Sequence, residues 1–153
     1  MECRNSEEFM KIALKEAKKA IKTKDIPIGC VIVYKGEVIA KAHNEKEKNM
    51  LSFAHAEMMA IKKASKKIGH WRLHECTMYV TLEPCPMCAG AIINSRISKV
   101  FVGAKDERCG AFGGKLNLNE FNLGSIPEVE FGVMEKECSY IISDFFKELR
   151  KNK

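Results

Sequence analysis

The stretch "CTMYVTLEPCPMCAGAIINSRISKVFVGA", residues 76–104, decides the fold. Its first seven residues, "CTMYVTL" (76–82), are rich in β-branched and aromatic side chains and read as a strand. Pro84 and Pro86 then end that strand and help to start a short helix through about Ser95. Proline has no amide to donate to a sheet, and its fixed φ suits a first helical turn. "SKVFVGA" (98–104) resumes as a strand.

Working outward, the same alternation continues. In "IGCVIVYKGEVIAKAHN" (28–44), Ile28 to Tyr34 and Val38 to Ala42 form two β runs joined by a tight "KG" turn, a hairpin. Residues 6–22 place Phe9, Ile12, Ala13, Ala17, Ala20 and Ile21 on one helical face, and Ser6, with Glu8 and Phe9 behind it, is placed to cap the start. Residues 55–67 read as a second helix. The Gly- and Asn-rich segment "KDERCGAFGGKLNLNEFNLGSIPE" (105–128) reads as loop with one turn of helix. "EVEFGVM" (128–134) is a fifth strand, and residues 136–150 a last helix with Cys138, Ile141, Ile142, Phe145 and Leu149 on one stripe. Strands alternating with helices imply an α/β layered domain around a mixed sheet. No repeat, low-complexity tract or linker interrupts residues 1–153, so one domain is expected.

Composition narrows the setting. Hydrophobic residues are 46% and charged residues 30%, ordinary for a soluble globular protein. No apolar run approaches the roughly 20 residues of a membrane span, so no membrane partner is expected. The opening "MECRNSEEFMKIALKEAKKA" is charged from the start and has no apolar signal core, which predicts a cytoplasmic protein. Seven scattered cysteines (Cys3, Cys30, Cys76, Cys85, Cys88, Cys109, Cys138) fit reduced thiols better than a disulfide framework. Most can be small core residues, leaving a few for metal. The net charge of +6 permits a polyanionic partner without demanding one.

The Cys85-x-x-Cys88 pair admits three readings. It can be half of a structural zinc site completed by His70 and His74, a redox dithiol, or part of a catalytic zinc site with three protein ligands and an open fourth position. The third reading takes His55 as the remaining ligand. Cys85 is a plausible N-cap, Pro86 suits the first helical position, and Cys88 follows one turn later, so both sulfurs can face one ion. The positive end of a helix favours thiolate over thiol. Glu57, two residues after His55, stays free to reach a water on the metal. Two thiolates cancel the +2 charge of zinc and make it a weaker Lewis acid, so a carboxylate that takes the water's proton matters more. The chemistry predicted is attack of activated water on an electron-poor carbon with proton delivery to a departing amine.

"HAE" (55–57) and "PCPMC" (84–88) match the H-x-E…P-C-x-x-C signature of the zinc nucleobase deaminases. Over residues 6–112 and 128–150 the chain resembles the family of bacterial tRNA-specific adenosine deaminases, most closely in "WRLHECTMYVTLEPCPMCAGAIINSRISKVFVGAKD" (71–106) and "CSYIISDFFKELR" (138–150). The resemblance implies a cytidine deaminase-like fold, a three-layer α/β/α sandwich with a five-stranded mixed β-sheet, in a homodimer with one Zn2+ per subunit. It implies hydrolytic deamination of adenosine to inosine at the wobble position of a tRNA anticodon stem-loop. Carried over by position, His55, Cys85 and Cys88 hold zinc, Glu57 is the proton shuttle, and Asn44 reads the purine edge. The backbone of Ile28 and Ala56 lines the base pocket. Asp106 and Arg108 contact the flipped nucleotide and its neighbours, and Phe145, Phe146 and Arg150 receive the anticodon loop. The segment "NLGSIPEVEF" (122–131) departs from the family pattern and leaves a free base or nucleoside of the guanine or cytosine type as the alternative substrate. A non-catalytic zinc-stabilised binding module is a third possibility, against which the free carboxylate of Glu57 counts.

Overall fold

A computed structural model describes residues 2–152 in their backbone and 5–152 in their side chains. Five strands form one mixed sheet: β1 (Gly29–Tyr34), β2 (Glu37–His43), β3 (Cys76–Leu82), β4 (Lys99–Ala104) and β5 (Glu128–Phe131), in the order β2-β1-β3-β4-β5. β1 runs antiparallel to both β2 and β3, while β3, β4 and β5 are parallel. The hairpin turn at Lys35 and Gly36 has φ of 50° and 79°, the positive pair of a type I′ turn that matches strand twist.

The helices are α1 (Glu2–Ala20), a one-turn α2 (Lys46–Asn49), α3 (Ala56–Ile68), α4 (Pro86–Asn94) and α5 (Glu135–Lys151). Period-2 alternation along the strands splits the core in two. Val31, Val33, Tyr79 and Phe101 point to one face, where they meet Met10, Ala13 and Leu14 of α1 and Cys138 of α5. Cys30, Ile32, Met78, Val80, Val100 and Val102 point to the other, against Ala56, Ala60 and Ala64 of α3 and Ala89 and Ile92 of α4. Each large apolar side chain so buried contributes about 1.5–3 kcal/mol. The result is the expected three-layer sandwich. The small-residue face of α3 and the close approach of α1 set its spacing: a Cβ on Gly29 would run into the backbone of Ala13 and Ala17.

Several boundaries differ from expectation. α1 begins well before Ser6, because the preceding Glu, Arg and Asn continue the helix; Ser6 is buried inside it and is not its cap. Met10 and Leu14 join Ala13, Ala17 and Ala20 on the buried stripe, whereas Ile21 is exposed in a 3-10 turn (Ile21–Thr23). β5 stops at Phe131, since Gly132 and Met134 take positive φ values that break strand geometry. On α5 only Cys138 is fully buried and Leu149 faces outward. Cys30, Cys76 and Cys138 are free core thiols, Cys109 is exposed, and the side chain of Cys3 lies outside the described residues.

Candidate active site

Two helix starts converge beyond the ends of the central strands. His55 sits at the N-cap of α3 in extended conformation, φ −80° and ψ 153°. Cys85 sits likewise at the N-cap of α4, φ −72° and ψ 173°, with Pro86 in the first helical position. Neither residue caps through a side-chain hydrogen bond, which leaves imidazole and thiol to face one another. His55 Nδ1 lies 3.7 Å from Cys85 Sγ and 3.5 Å from Cys88 Sγ. All three ligand atoms fall within 4.8 Å of one another, and among the described residues no further His, Cys, Asp or Glu joins them. His70 instead accepts a hydrogen bond from Arg72 N–H and stacks on Trp71, so the four-ligand site with His70 and His74 is not formed.

The set fits zinc. A tetrahedral ion with bonds of about 2.3 Å to sulfur and about 2.0 Å to nitrogen holds those atoms about 3.5 Å apart. The protons are already arranged for exchange. A hydrogen bond from Cys88 pulls the Cys85 thiol down to about 4, against its partial burial, and His55 adds to the pull. The same contact, together with burial, raises Cys88 above the ordinary thiol range. His55 is raised by its bond to Cys85, against burial, and by the charge of Glu57. A cation bound at this set would displace the thiol protons.

Glu57, in the first turn of α3, is 3% exposed. Burial pushes its carboxyl up to about 7, against hydrogen bonds that favour the charged form. A carboxyl poised there can give and take a proton near neutrality. Asn44 is buried and fixed at both ends. Its backbone N–H donates to Ile28 C=O at 3.1 Å, and its Oδ1 accepts the Ala56 N–H at 2.8 Å. Ala56 N–H and Ile28 C=O therefore hold Asn44, and what Asn44 has left to offer is its amide donor group.

Asp106 closes a turn: its Oδ1 accepts the N–H of Arg108 at 3.0 Å and of Cys109 at 3.3 Å, with Arg108 itself exposed. Phe145 and Phe146 pack edge to face with centroids 5.4 Å apart, both half-buried on α5, and Arg150 is exposed. Among the described residues no hydrogen bond, ion pair or ring contact ties these last three to the His55–Cys85–Cys88 cluster. Three buried carboxylates escaped the sequence reading: Glu16, which lies against Lys19 and His43, Asp25 and Glu83. Asp25 accepts the N–H of Glu47 at 2.6 Å and of Lys48 at 3.3 Å at the start of α2. Glu83 accepts three amides of the 105–114 segment. The signal for Glu83 was available: an acid trapped between an apolar strand and Pro84, opposite a Gly-rich loop.

The family profile described as MafB19-like deaminase matches residues 4–150. A tRNA-specific adenosine deaminase of Bacillus subtilis (strain 168) is 52% identical over 146 residues, spanning 95% of this chain and 91% of its own. A solved structure from work on A-to-I editing by tRNA:A34 deaminases at the wobble position superposes with a TM-score of 0.82 at 38% identity, covering 88% of this chain and 98% of the other. A guanine deaminase of Bacillus subtilis matches less completely, with TM-score 0.62 and 40% identity over 65% of this chain and 64% of the other.

Proposed function

This chain belongs to the MafB19-like deaminase family and, with its nearly full-length likeness to them, to the tRNA-specific adenosine deaminases; on that premise we propose that it converts adenosine to inosine at the wobble position of a tRNA anticodon by hydrolysis. The observation that carries the reading is the meeting of His55, Cys85 and Cys88 at two helix starts with the Glu57 carboxyl buried against them.

In this reading His55, Cys85 and Cys88 hold one Zn2+ per subunit, which supplies Lewis-acid activation of a water. Glu57 would take one proton from the attacking water and give it to the ring nitrogen as the oxygen bonds to the purine carbon. It would then take the second proton from the new C–OH group and give it to the amine, so that the C–N bond breaks and ammonia leaves. Asn44, clamped by Ala56 and Ile28, offers its amide donor to an acceptor on the purine edge. Asp106 and Arg108 border the extruded nucleotide, and Phe145, Phe146 and Arg150 receive the anticodon loop. An anticodon loop suits the extrusion, because its bases are already partly unstacked. The net charge of +6 favours an RNA partner. A single domain carries these parts in a cytoplasmic homodimer. Trp71, Phe121, Leu123 and Ile126, each at least half exposed, give apolar surface for a second copy to cover. No helix among the described residues is long and apolar enough to cross a membrane.

Incubation of the zinc-loaded protein with an anticodon stem-loop carrying adenosine at the wobble site, beside free adenosine, guanine and cytidine, tests the proposal. Inosine is expected in the stem-loop, with turnover falling steeply as salt is added. Ammonia from guanine or cytidine with an untouched stem-loop would replace it with the free-base reading that the guanine deaminase likeness favours.

A further inference from the structure

We infer that Glu83 is a positioning residue for substrate binding: its buried carboxylate locks the 105–114 loop, with Asp106 and Arg108, onto the segment that carries Cys85. The inference rests on the proposed function, since it takes that loop to border the RNA.

Glu83 is 3% exposed and has no cationic partner among the described residues. Its charge is met by backbone donors instead. Oε1 accepts the Asp106 N–H at 2.9 Å; Oε2 accepts the N–H of Phe112 at 2.9 Å and of Gly114 at 2.8 Å. Its own N–H donates to Ala104 C=O, and the neighbouring Pro84 C=O accepts the Ala111 N–H, each at 2.9 Å. One side chain thus gathers both ends of the loop, through charge-assisted bonds that are stronger than neutral ones. Inside the loop, Gly110 N–H donates to Asp106 C=O, and the Asp106 side chain closes the turn that carries Arg108. Gly114 makes the wrap possible, because a Cβ there would collide with the Asp106 carbonyl and the Glu83 carboxylate. Cys85 follows Glu83 by two residues. The same backbone therefore sets where the metal ligands lie and where the loop lies, and Glu83 fixes one to the other.

A residue that only stabilised the fold would lower the melting temperature without separating KM from kcat. The test compares wild type, Glu83→Gln and Gly114→Ala, all full-length and zinc-loaded, on the anticodon stem-loop. Glu83→Gln turns one acceptor into a donor that faces N–H groups; Gly114→Ala leaves the acid intact and pushes the loop off it. For both variants we expect full zinc content, kcat within about threefold of wild type, and KM raised about tenfold or more. Amide hydrogen exchange should accelerate at Asp106, Phe112 and Gly114 while α4 stays protected. Unchanged exchange at those amides would overturn the inference, as would released amides with unchanged KM, or zinc lost along with the loop. A wild-type chain that leaves the stem-loop unedited would overturn the proposed function and the substrate role of Glu83 with it; the other failures strike the inference alone.

Discussion

Replacing Glu57 with Gln keeps the shape of the side chain and removes its proton chemistry. Zinc content should not change, because Glu57 is not among the three ligand atoms that lie within 4.8 Å of one another. A positioned acid–base group contributes about 10²–10⁴ in rate. With Glu57 only 3% exposed, buffer cannot stand in for it, so the loss should lie near the top of that range. A 10⁴-fold loss corresponds to about 5.5 kcal/mol of barrier. The substitution also has a signature in the metal-free protein. Burial raises the Glu57 carboxyl from 4.5 to about 7. That rise corresponds to about 3 kcal/mol between the two protonation states. Because the folded value lies above the unfolded one, the folded chain retains this proton more tightly. The stabilisation is complete below about 4.5 and is lost as pH climbs through about 7. Gln cannot lose it. Denaturant unfolding of chelator-treated, reduced protein at pH 5 and pH 8 should therefore show Glu57→Gln gaining up to about 3 kcal/mol on wild type at the higher pH. Normal inosine formation by the zinc-loaded variant would refute the shuttle, and a stability difference independent of pH would refute the burial argument.

Cys88 is fully buried, and its replacement by Ser puts a poorer ligand at the site, so Cys88→Ser should lose most of its bound zinc in elemental analysis and melt at a lower temperature. Asn44→Ala strips the 2.8 Å acceptor from the buried Ala56 N–H, a cost of about 1–3 kcal/mol in denaturant unfolding, and should raise KM for the stem-loop. Gly29→Ala drives a methyl into the backbone of α1 at Ala13 and should cost at least about 2 kcal/mol, read as a drop in melting temperature with zinc stoichiometry preserved.

Much of this architecture could be read from local patterns, for physical reasons. β1, β3 and β4 are dense in β-branched residues and bounded by turn-formers, and Pro86 marks the first turn of α4. Cys85 as an N-cap follows from the same punctuation, whereas His55, expected in the first turn of its helix, proves to be the N-cap before Ala56. What stayed hidden depended on distant partners. Ser6 looked like a cap until the preceding residues proved helical. Ala56 and Ile28 turned out to clamp Asn44, a relation visible only when β1, β2 and α3 are brought together. Asp25 gave no local sign that backbone amides more than twenty residues away would surround it, and for Glu83 the apolar strand and Pro84 signal burial without telling which amides it meets. The loop from Lys105 onward has no period, and its shape is dictated by a carboxylate outside it.

The sheet ends on strands that discourage extension. β5 is four residues long, exposes Glu128 and Glu130, and is cut off by Gly132, while β2 on the opposite margin exposes Glu37 and Lys41. Short, charged borders repel another strand that arrives to continue the ladder. A second chain that arrives at either margin meets like or mismatched charge instead of an open ladder, and crowded chains are steered away from fibrous stacking.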